Sequence, residues 1–344
     1  MIRIRAGLLL LPLVLAGLAT HGGSTPTASP GLTTHVLTVG PSGQYRTLGA
    51  AVGAADRHAN AGDYYQIEVA PGTYTNDFAD VTRRMTIEAN PRDGGGRVLL
   101  LDTVNLPNEK AIILTTASLT VDGLTFEGAH IPDRLGGNGA GIRDQNAGQS
   151  ARLIVENSTF SGNQEGILQG NDFREHVQIL NSTFEDNGNP NPAVFQHAVY
   201  IDAAASLVVD HSLFCGQLIG HDVKSRALAT TVENSQIFDG AADPAAHCRA
   251  GSTSYGIDAP NGGMLTVLAD RIVQGPGTQN DIMVDYGAEG MRYPDNGIHV
   301  SGTTFTNSAI HATGIYDPPC VLVDLAGNTF KGVATPVHPA RCAG

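Results

Sequence analysis

His197 opens the phrase Ala198-Val199-Tyr200-Ile201-Asp202, and 24 residues later His221 opens Asp222-Val223-Lys224-Ser225-Arg226. Read as short strands, the first phrase turns Val199 and Ile201 to one side and Tyr200 and Asp202 to the other. The second turns Val223 and Ser225 inward and Asp222, Lys224 and Arg226 outward. Tyr255-Gly256-Ile257-Asp258 repeats the pattern once more. Aligning such phrases on their first buried aliphatic residue (Ile142, Ile167, Val199, Val223, Ile257, Met283) predicts an outward column of Arg143, Leu168, Tyr200, Lys224, Asp258 and Val284, with neighbouring backbones ~4.8 Å apart. A second outward column reads Gln145, Gly170, Asp202, Arg226, Pro260 and Tyr286, and His197, His221 and Tyr255 share the turn just upstream. The expectation is a patch of His197, Tyr200, Asp202, His221, Asp222, Lys224, Arg226, Tyr255 and Asp258 in a chain that is only 15% charged. Titratable groups concentrated in this way are functional candidates.

Such a patch suits β-elimination on a uronate-containing polysaccharide. That reaction removes a weakly acidic proton next to a carboxylate, so it needs a cation to neutralise the carboxylate and a base to take the proton. Arg226 fits the first role through its planar fork. Lys224, beside that second cation, or else His221, fits the second, and Tyr200 or Tyr255 would protonate the leaving oxygen. His197, Tyr255 and Arg143 are expected to bind substrate. The carboxylates offer another chemistry: Asp202, Asp222 and Asp258 lie in nearby repeats, and two carboxyls ~5 to 9 Å apart suffice for glycosidic hydrolysis. A third reading is a noncatalytic carbohydrate-binding or adhesion solenoid, whose patch would be flat and self-paired. Asp281 and Asp285 could give oxygen ligands to calcium, but scattered aspartates in turns are common, so no metal or cofactor is assigned.

The elements that must carry these residues repeat along the chain. Phe126, Phe160, Phe184, Phe214, Ile237, Val273, Phe305 and Phe330 each end a similar phrase, such as Asn157-Ser158-Thr159-Phe160 or Asn181-Ser182-Thr183-Phe184, at intervals of 34, 24, 30, 23, 36, 32 and 25 residues. A fixed phrase at varying intervals predicts a solenoid with loops of different length. A second phrase follows: Gly141-Ile142, Gly166-Ile167, Ala198-Val199, Asp222-Val223, Gly256-Ile257 and Ile282-Met283. With a third, less regular strand per repeat, this is the coil of a parallel β-helix, about ten coils in all. The phenylalanines are expected to stack inside, and the asparagines to stack hydrogen-bonded at a turn. Loops at 127–152 and 239–255 would overhang the side of the central strands and wall a groove. Near the start, Leu48, Ala51, Val52 and Ala55 recur at helical spacing behind a capping Thr47, and Gln66-Ile67-Glu68-Val69 alternates as a strand.

The run VGPSGQYRTLGAAVGAA followed by QIEVAPGTY resembles the N-terminal cap of the pectin-lyase-like right-handed parallel β-helix superfamily. The resemblance implies an all-β, single-domain right-handed parallel β-helix with a short N-terminal capping helix, a fold shared by lyases, hydrolases, esterases and noncatalytic proteins. The Lys224 and Arg226 pair resembles that of β-helix lyases acting on alginate or chondroitin-type chains. Tyr255-Gly256-Ile257-Asp258 is similar to the Tyr-Gly-Phe-Asp phrase of mannuronan epimerases, although Pro260 stands where that phrase continues to histidine. The Gly-His-Gly and Arg-Ile-Lys phrases of polygalacturonase-type hydrolases are represented only by Gly220-His221-Asp222.

Arg3 and Arg5 precede an apolar run from Ala6 to Leu18, the pattern of a secretory signal peptide over residues 1–20. A Pro/Ser/Thr/Gly-rich leader over 21–34 would lead into one domain at 35–344. Export to a secreted or periplasmic location makes the four cysteines informative, and the simplest pairing joins Cys215 to Cys248 and Cys320 to Cys342. The net charge of −13 becomes about −15 without the two leader arginines, which argues against nucleic acid as a partner. A monomer is expected, with a polysaccharide as its partner and no membrane contact after cleavage.

Overall fold

The computed structural model describes residues 33–57, 62–90, 92–146, 150–309 and 311–339. The expected signal peptide, most of the leader and Cys342 lie outside the described residues. The described residues wind through three sheets of 11, 10 and 10 strands, and each strand pairs in parallel with its counterpart one coil away. Every coil contributes one strand to each sheet in turn, as Arg152–Glu156 does to the first, Thr159–Ser161 to the second and Glu165–Asn171 to the third, which is the β-helix expected from the repeats. Helix α1, Leu48–Asp56, covers the first coils with Leu48, Ala51, Val52 and Ala55 buried, capped by Thr47. The Asp77 carboxylate also accepts the Leu48 and Gly49 amides at the helix start. Among the described residues no helix is long and apolar enough to cross a membrane.

Local chemistry explains the repeated phrases. At the corner between the first and second sheets one residue per coil takes the left-handed conformation: Gly123 (φ 73°), Asn157 (49°), Asn181 (49°), His211 (49°) and Asn234 (52°). Glycine and asparagine tolerate that region best, hence their recurrence there. The asparagines are exposed, so the expected internal asparagine stack is corrected: the buried ladder at this corner belongs to the serines beside them. The Ser158 amide donates to Ser182 Oγ (3.2 Å), the Ser182 amide to Ser212 Oγ (3.2 Å) and the Ser212 amide to Ser235 Oγ (3.0 Å). Asparagines do stack internally at the next corner, where Asn163 and Asn187 bond each other and the carbonyls of Phe126 and Phe160.

Phe126, Phe160, Phe184 and Phe214 form a continuous stack with ring centroids 4.8 Å apart, as expected. The Gly-Ile phrases follow from it. A Cβ at Gly141 would lie 2.7 Å from the Phe160 ring, and one at Gly166 would lie 2.8 Å from Phe184. Two alignments need a one-residue shift. Ile272, not Val273, continues the phenylalanine column, and Val284, not Met283, pairs with Ile257. In both places adjacent aliphatic residues leave alternation without a phase, and hydrogen-bond register decides.

Several interior carboxyls are held as acids. Burial, reinforced by Glu175, pushes Asp144 up to about 9. Burial pushes Asp239 to about 8 and Asp270 to about 7. Each is protonated in the folded chain at pH values where the unfolded chain has ionised it. Their contribution is therefore complete below the ordinary carboxylate range and is lost as pH rises through these values. His197 and His221 act oppositely: both are depressed by burial, so their contribution is present above 6.5 and is lost on acidification. The thermal midpoint is expected to fall by several degrees between pH 7 and pH 9, as scanning calorimetry would read. A midpoint that rises over that interval would contradict the assignment.

Candidate functional site

The outward face of the third sheet carries the expected patch. Register places Arg143, Leu168, Tyr200, Lys224, Asp258, Asp285 and Tyr316 in one column. In equivalent positions stand Glu165, which opens its strand, and His197, His221 and Tyr255, just upstream of theirs. Their rings stack, with His197 4.7 Å from His221 and His221 4.6 Å from Tyr255. The His197 amide donates to Glu165 Oε2 at 3.1 Å, and the His221 amide donates to His197 Nδ1 at 3.0 Å. That acceptor nitrogen carries no proton, in keeping with a His197 imidazole held neutral by burial and by His221, Lys224 and Arg226.

Charges converge two strands deep. Lys224 Nζ lies 3.4 Å from Asp258 Oδ2 and 3.2 Å from Glu289 Oε1. Arg226 grips Glu289 through Nε (3.0 Å) and Nη2 (2.7 and 2.9 Å), and reaches Asp202 Oδ1 with Nη1 at 3.2 Å. The Tyr200 hydroxyl donates to Asp202 Oδ1 at 3.1 Å, and its ring lies 5.1 Å from the Arg226 guanidinium carbon. His221 Nε2 stands 3.2 Å from Asp258 Oδ2. Burial would raise Asp258, but the hydrogen bond and charge of His221, with Lys224, hold it below the usual carboxylate range. Beside it, burial and Asp258 push Asp285 up to about 7. Two adjacent carboxyls are thus driven apart, one ionised and one protonated below neutrality.

The structure brings Tyr200, Asp202, His221, Lys224, Arg226, Tyr255 and Asp258 together. Asp222 is a correction: it is fully buried, neither carboxylate oxygen has a hydrogen-bond partner, and burial followed by Asp239 drives its carboxyl well up. The strand begins only at Val223, so alternation does not extend back to Asp222, which falls in the inward column of Gly166 and Gly256. His197 lies beneath the surface, held among His221, Tyr200 and Phe195. Arg143 shares the column but is separated from Tyr200 by Leu168. Tyr286 turns inward, donating to the Gly263 carbonyl at 2.6 Å, so it leaves the outward column. Asp285 faces Asp258, while Asp281 is exposed. Among the described residues no group of three or more His, Cys, Asp or Glu is set to hold a metal.

Two carboxylates were not legible beforehand. Glu165 sits in the register of His197, a signal that the Gly166-Ile167 phrase already contained. Glu289 arrives from a loop 63 residues beyond Arg226. That loop, 287–296, is seated by the Glu289 amide on the Pro260 carbonyl and by the Arg292 amide on the Asn261 carbonyl, both 2.9 Å. Tyr293 donates to the Arg226 carbonyl, and the Arg292 guanidinium lies 4.6 Å over Phe173. It forms one margin of the patch. The other margin is built by the loops entering the third sheet. Asn189 and Asn191 bond Asp133 across loops 128–139 and 186–198, Phe195 stands edge-on 5.1 Å from His221, and Cys215–Cys248 ties down loop 240–256. The bridge is the first of the two expected; the second involves Cys342.

The family model described as right handed beta helix region matches residues 110–313. The chain belongs to the right-handed β-helix family. Among solved structures, this β-helix is similar to an alginate lyase of the PL6 family, in a mutant form, with TM-score 0.50 and 15% identity over 89% of this chain and 41% of that one. It is also similar to a pectin methylesterase from Aspergillus niger (TM-score 0.46, 14% identity, 83% and 88% of the two chains) and to the A-module of a mannuronan C-5 epimerase from Azotobacter vinelandii (0.35, 12%, 84% and 91%). The β-helix spans about two-fifths of the alginate lyase's length, and at these identities the likeness speaks to fold alone. A search of curated proteins finds no match.

Proposed function

We propose that this β-helix is a secreted enzyme that cleaves a uronate-containing polysaccharide by β-elimination. One observation carries the reading: Lys224 and Arg226 close together on a single carboxylate, that of Glu289, at 3.2 Å and 2.7 Å. A site that holds one carboxylate with a fork and an ammonium will hold another of the same geometry. With a uronate carboxylate there, Arg226 withdraws charge and acidifies the neighbouring C–H. Lys224 first passes its own proton to the Asp258 carboxylate 3.4 Å away and then, as the free amine, takes the proton from carbon, with His221 holding Asp258 in place from behind. The electron pair forms the carbon–carbon double bond as the bond to the glycosidic oxygen breaks. Tyr200, hydrogen-bonded to Asp202, gives the leaving oxygen its proton. Tyr255 is less suited, since burial and Asp285 push its phenol to about 12 and its ring is stacked on His221. The Cys215–Cys248 bridge supports an oxidising compartment.

Hydrolysis loses support because Asp222 faces inward and Asp258 and Asp285 are almost fully buried. The mutual pairing of Lys224, Arg226, Asp202, Asp258 and Glu289 favours a second reading, a noncatalytic carbohydrate-binding solenoid. One experiment separates the three: polymannuronate, polyguluronate, polygalacturonate, hyaluronan and neutral glucans are assayed for ultraviolet absorbance and for reducing ends. Elimination raises both on an acidic polymer. Reducing ends without absorbance would mean hydrolysis, and neither signal would leave binding or C5 epimerisation.

A further inference from the structure

The residue that completes the cationic pair belongs to the protein itself, and its placement bears on which substrates can enter. Glu289 presents both carboxylate oxygens to Arg226 and one to Lys224, the arrangement expected of a bound ligand. Yet its side chain remains 43% exposed, against 16% for Arg226 and 11% for Lys224. Lys224 is therefore anchored from below by Asp258, Asp202 pairs with Arg226 at the surface, and the Glu289 carboxylate covers both cations from the solvent side. Its backbone is fixed by the hydrogen bond that its amide donates to the Pro260 carbonyl and lies between Gly287 (φ 76°) and Gly290 (φ 96°). With 43% of its side chain exposed, Glu289 borders open solvent. The side chain can swing into it by rotation about its own bonds, without moving the loop.

We infer that Glu289 is a specificity-determining residue, an internal competitor that holds the carboxylate subsite until a substrate brings a carboxylate of its own. This inference rests on the uronate reading of the same site. An acidic sugar exchanges one carboxylate for another, so Lys224 and Arg226 remain paired throughout and the swap is nearly balanced. A neutral or methyl-esterified sugar would have to displace Glu289 and leave two cations under-compensated at a partly buried site, which is strongly disfavoured. Glu289 thus rejects uncharged chains and weakens the binding of acidic ones by the same competition.

The test measures binding, by titration calorimetry on the full chain, of tetrasaccharides of mannuronate, guluronate, galacturonate and glucuronate and of the methyl ester of the best of them. Wild type, Glu289→Ala and Glu289→Gln are compared, with circular dichroism to verify the fold. The expected result is acid-tetrasaccharide affinity raised about tenfold in both variants, a change of about 1.4 kcal/mol, and measurable binding of the methyl ester only in the variants. Tight acid binding by wild type that is unchanged or weaker in both folded variants would overturn the inference and leave the uronate reading standing. Failure of every acidic tetrasaccharide to bind any of the three proteins would remove the uronate reading together with the inference. If Glu289→Ala proves unfolded, Glu289→Gln, which keeps the shape and loses the charge, decides the matter alone.

Discussion

Arg226→Ala is expected to lower kcat/KM on the acidic polymer by at least ~10²-fold, because it removes the group that meets the charge developing on the uronate carboxylate. The loss should fall mainly on kcat, since Lys224 still offers a charge for ground-state binding. Arg226→Lys should recover little, because an ammonium cannot reproduce the paired bonds from Nε and Nη2. Lys224→Ala should be at least as damaging, as it removes the proposed base. The fold should survive both changes. Arg226 lies over the outward-facing Tyr200 ring, and its ion-pair partners Asp202 and Glu289 have 38% and 43% exposed side chains that water can solvate. The check is steady-state kinetics by ultraviolet absorbance, with a thermal midpoint measured on the same samples. Activity retained within a factor of ten in Arg226→Ala, in a folded protein, would remove Arg226 from the mechanism.

The largest effect on stability is expected at the centre of the phenylalanine stack. Phe184 lies between Phe160 and Phe214 at 4.8 Å on each side, with planes within 3° of parallel, and is 1% exposed. Phe184→Ala removes the ring without offering a way to close the gap. The facing position is Gly166, which has no side chain to move in, and the coil spacing is fixed by backbone ladders above and below. The cost should be about 3–5 kcal/mol. Set against a typical domain stability of roughly 5–15 kcal/mol, that is enough to change the unfolding profile. Because each coil contacts only its neighbours, the central coils should open before the ends, giving a broadened transition in calorimetry and faster hydrogen exchange at strands Thr159–Ser161 and Thr183–Glu185. A single sharp transition within one degree of wild type would contradict this account.

The split between what was readable and what was not follows the range of the interactions involved. Alternation along Val199–Ala203, the turn at Asn157 and Asn181, the Thr47 cap and the phenylalanine column are properties of a few consecutive residues repeated at intervals, so sequence by itself determined the β-helix and the outward ladder of Tyr200, Lys224 and Asp258. Where local pattern is degenerate the tertiary structure decided. Ile272 displaced Val273, Val284 displaced Met283, and Asp222 turned inward because the chain rounds a corner before its strand begins. The serine ladder is of the same kind, since an exposed asparagine and a buried serine one residue apart look alike until the coil's path is known. Glu289 lies furthest from reach. It meets Arg226 across 63 residues and two coils, through a loop whose course depends on the Pro260, Asn261, Tyr293 and Phe173 contacts together. A strand's hydrogen-bond ladder fixes which residues stand side by side, whereas the charge that a returning loop lays over them is set only by the packing of the finished solenoid.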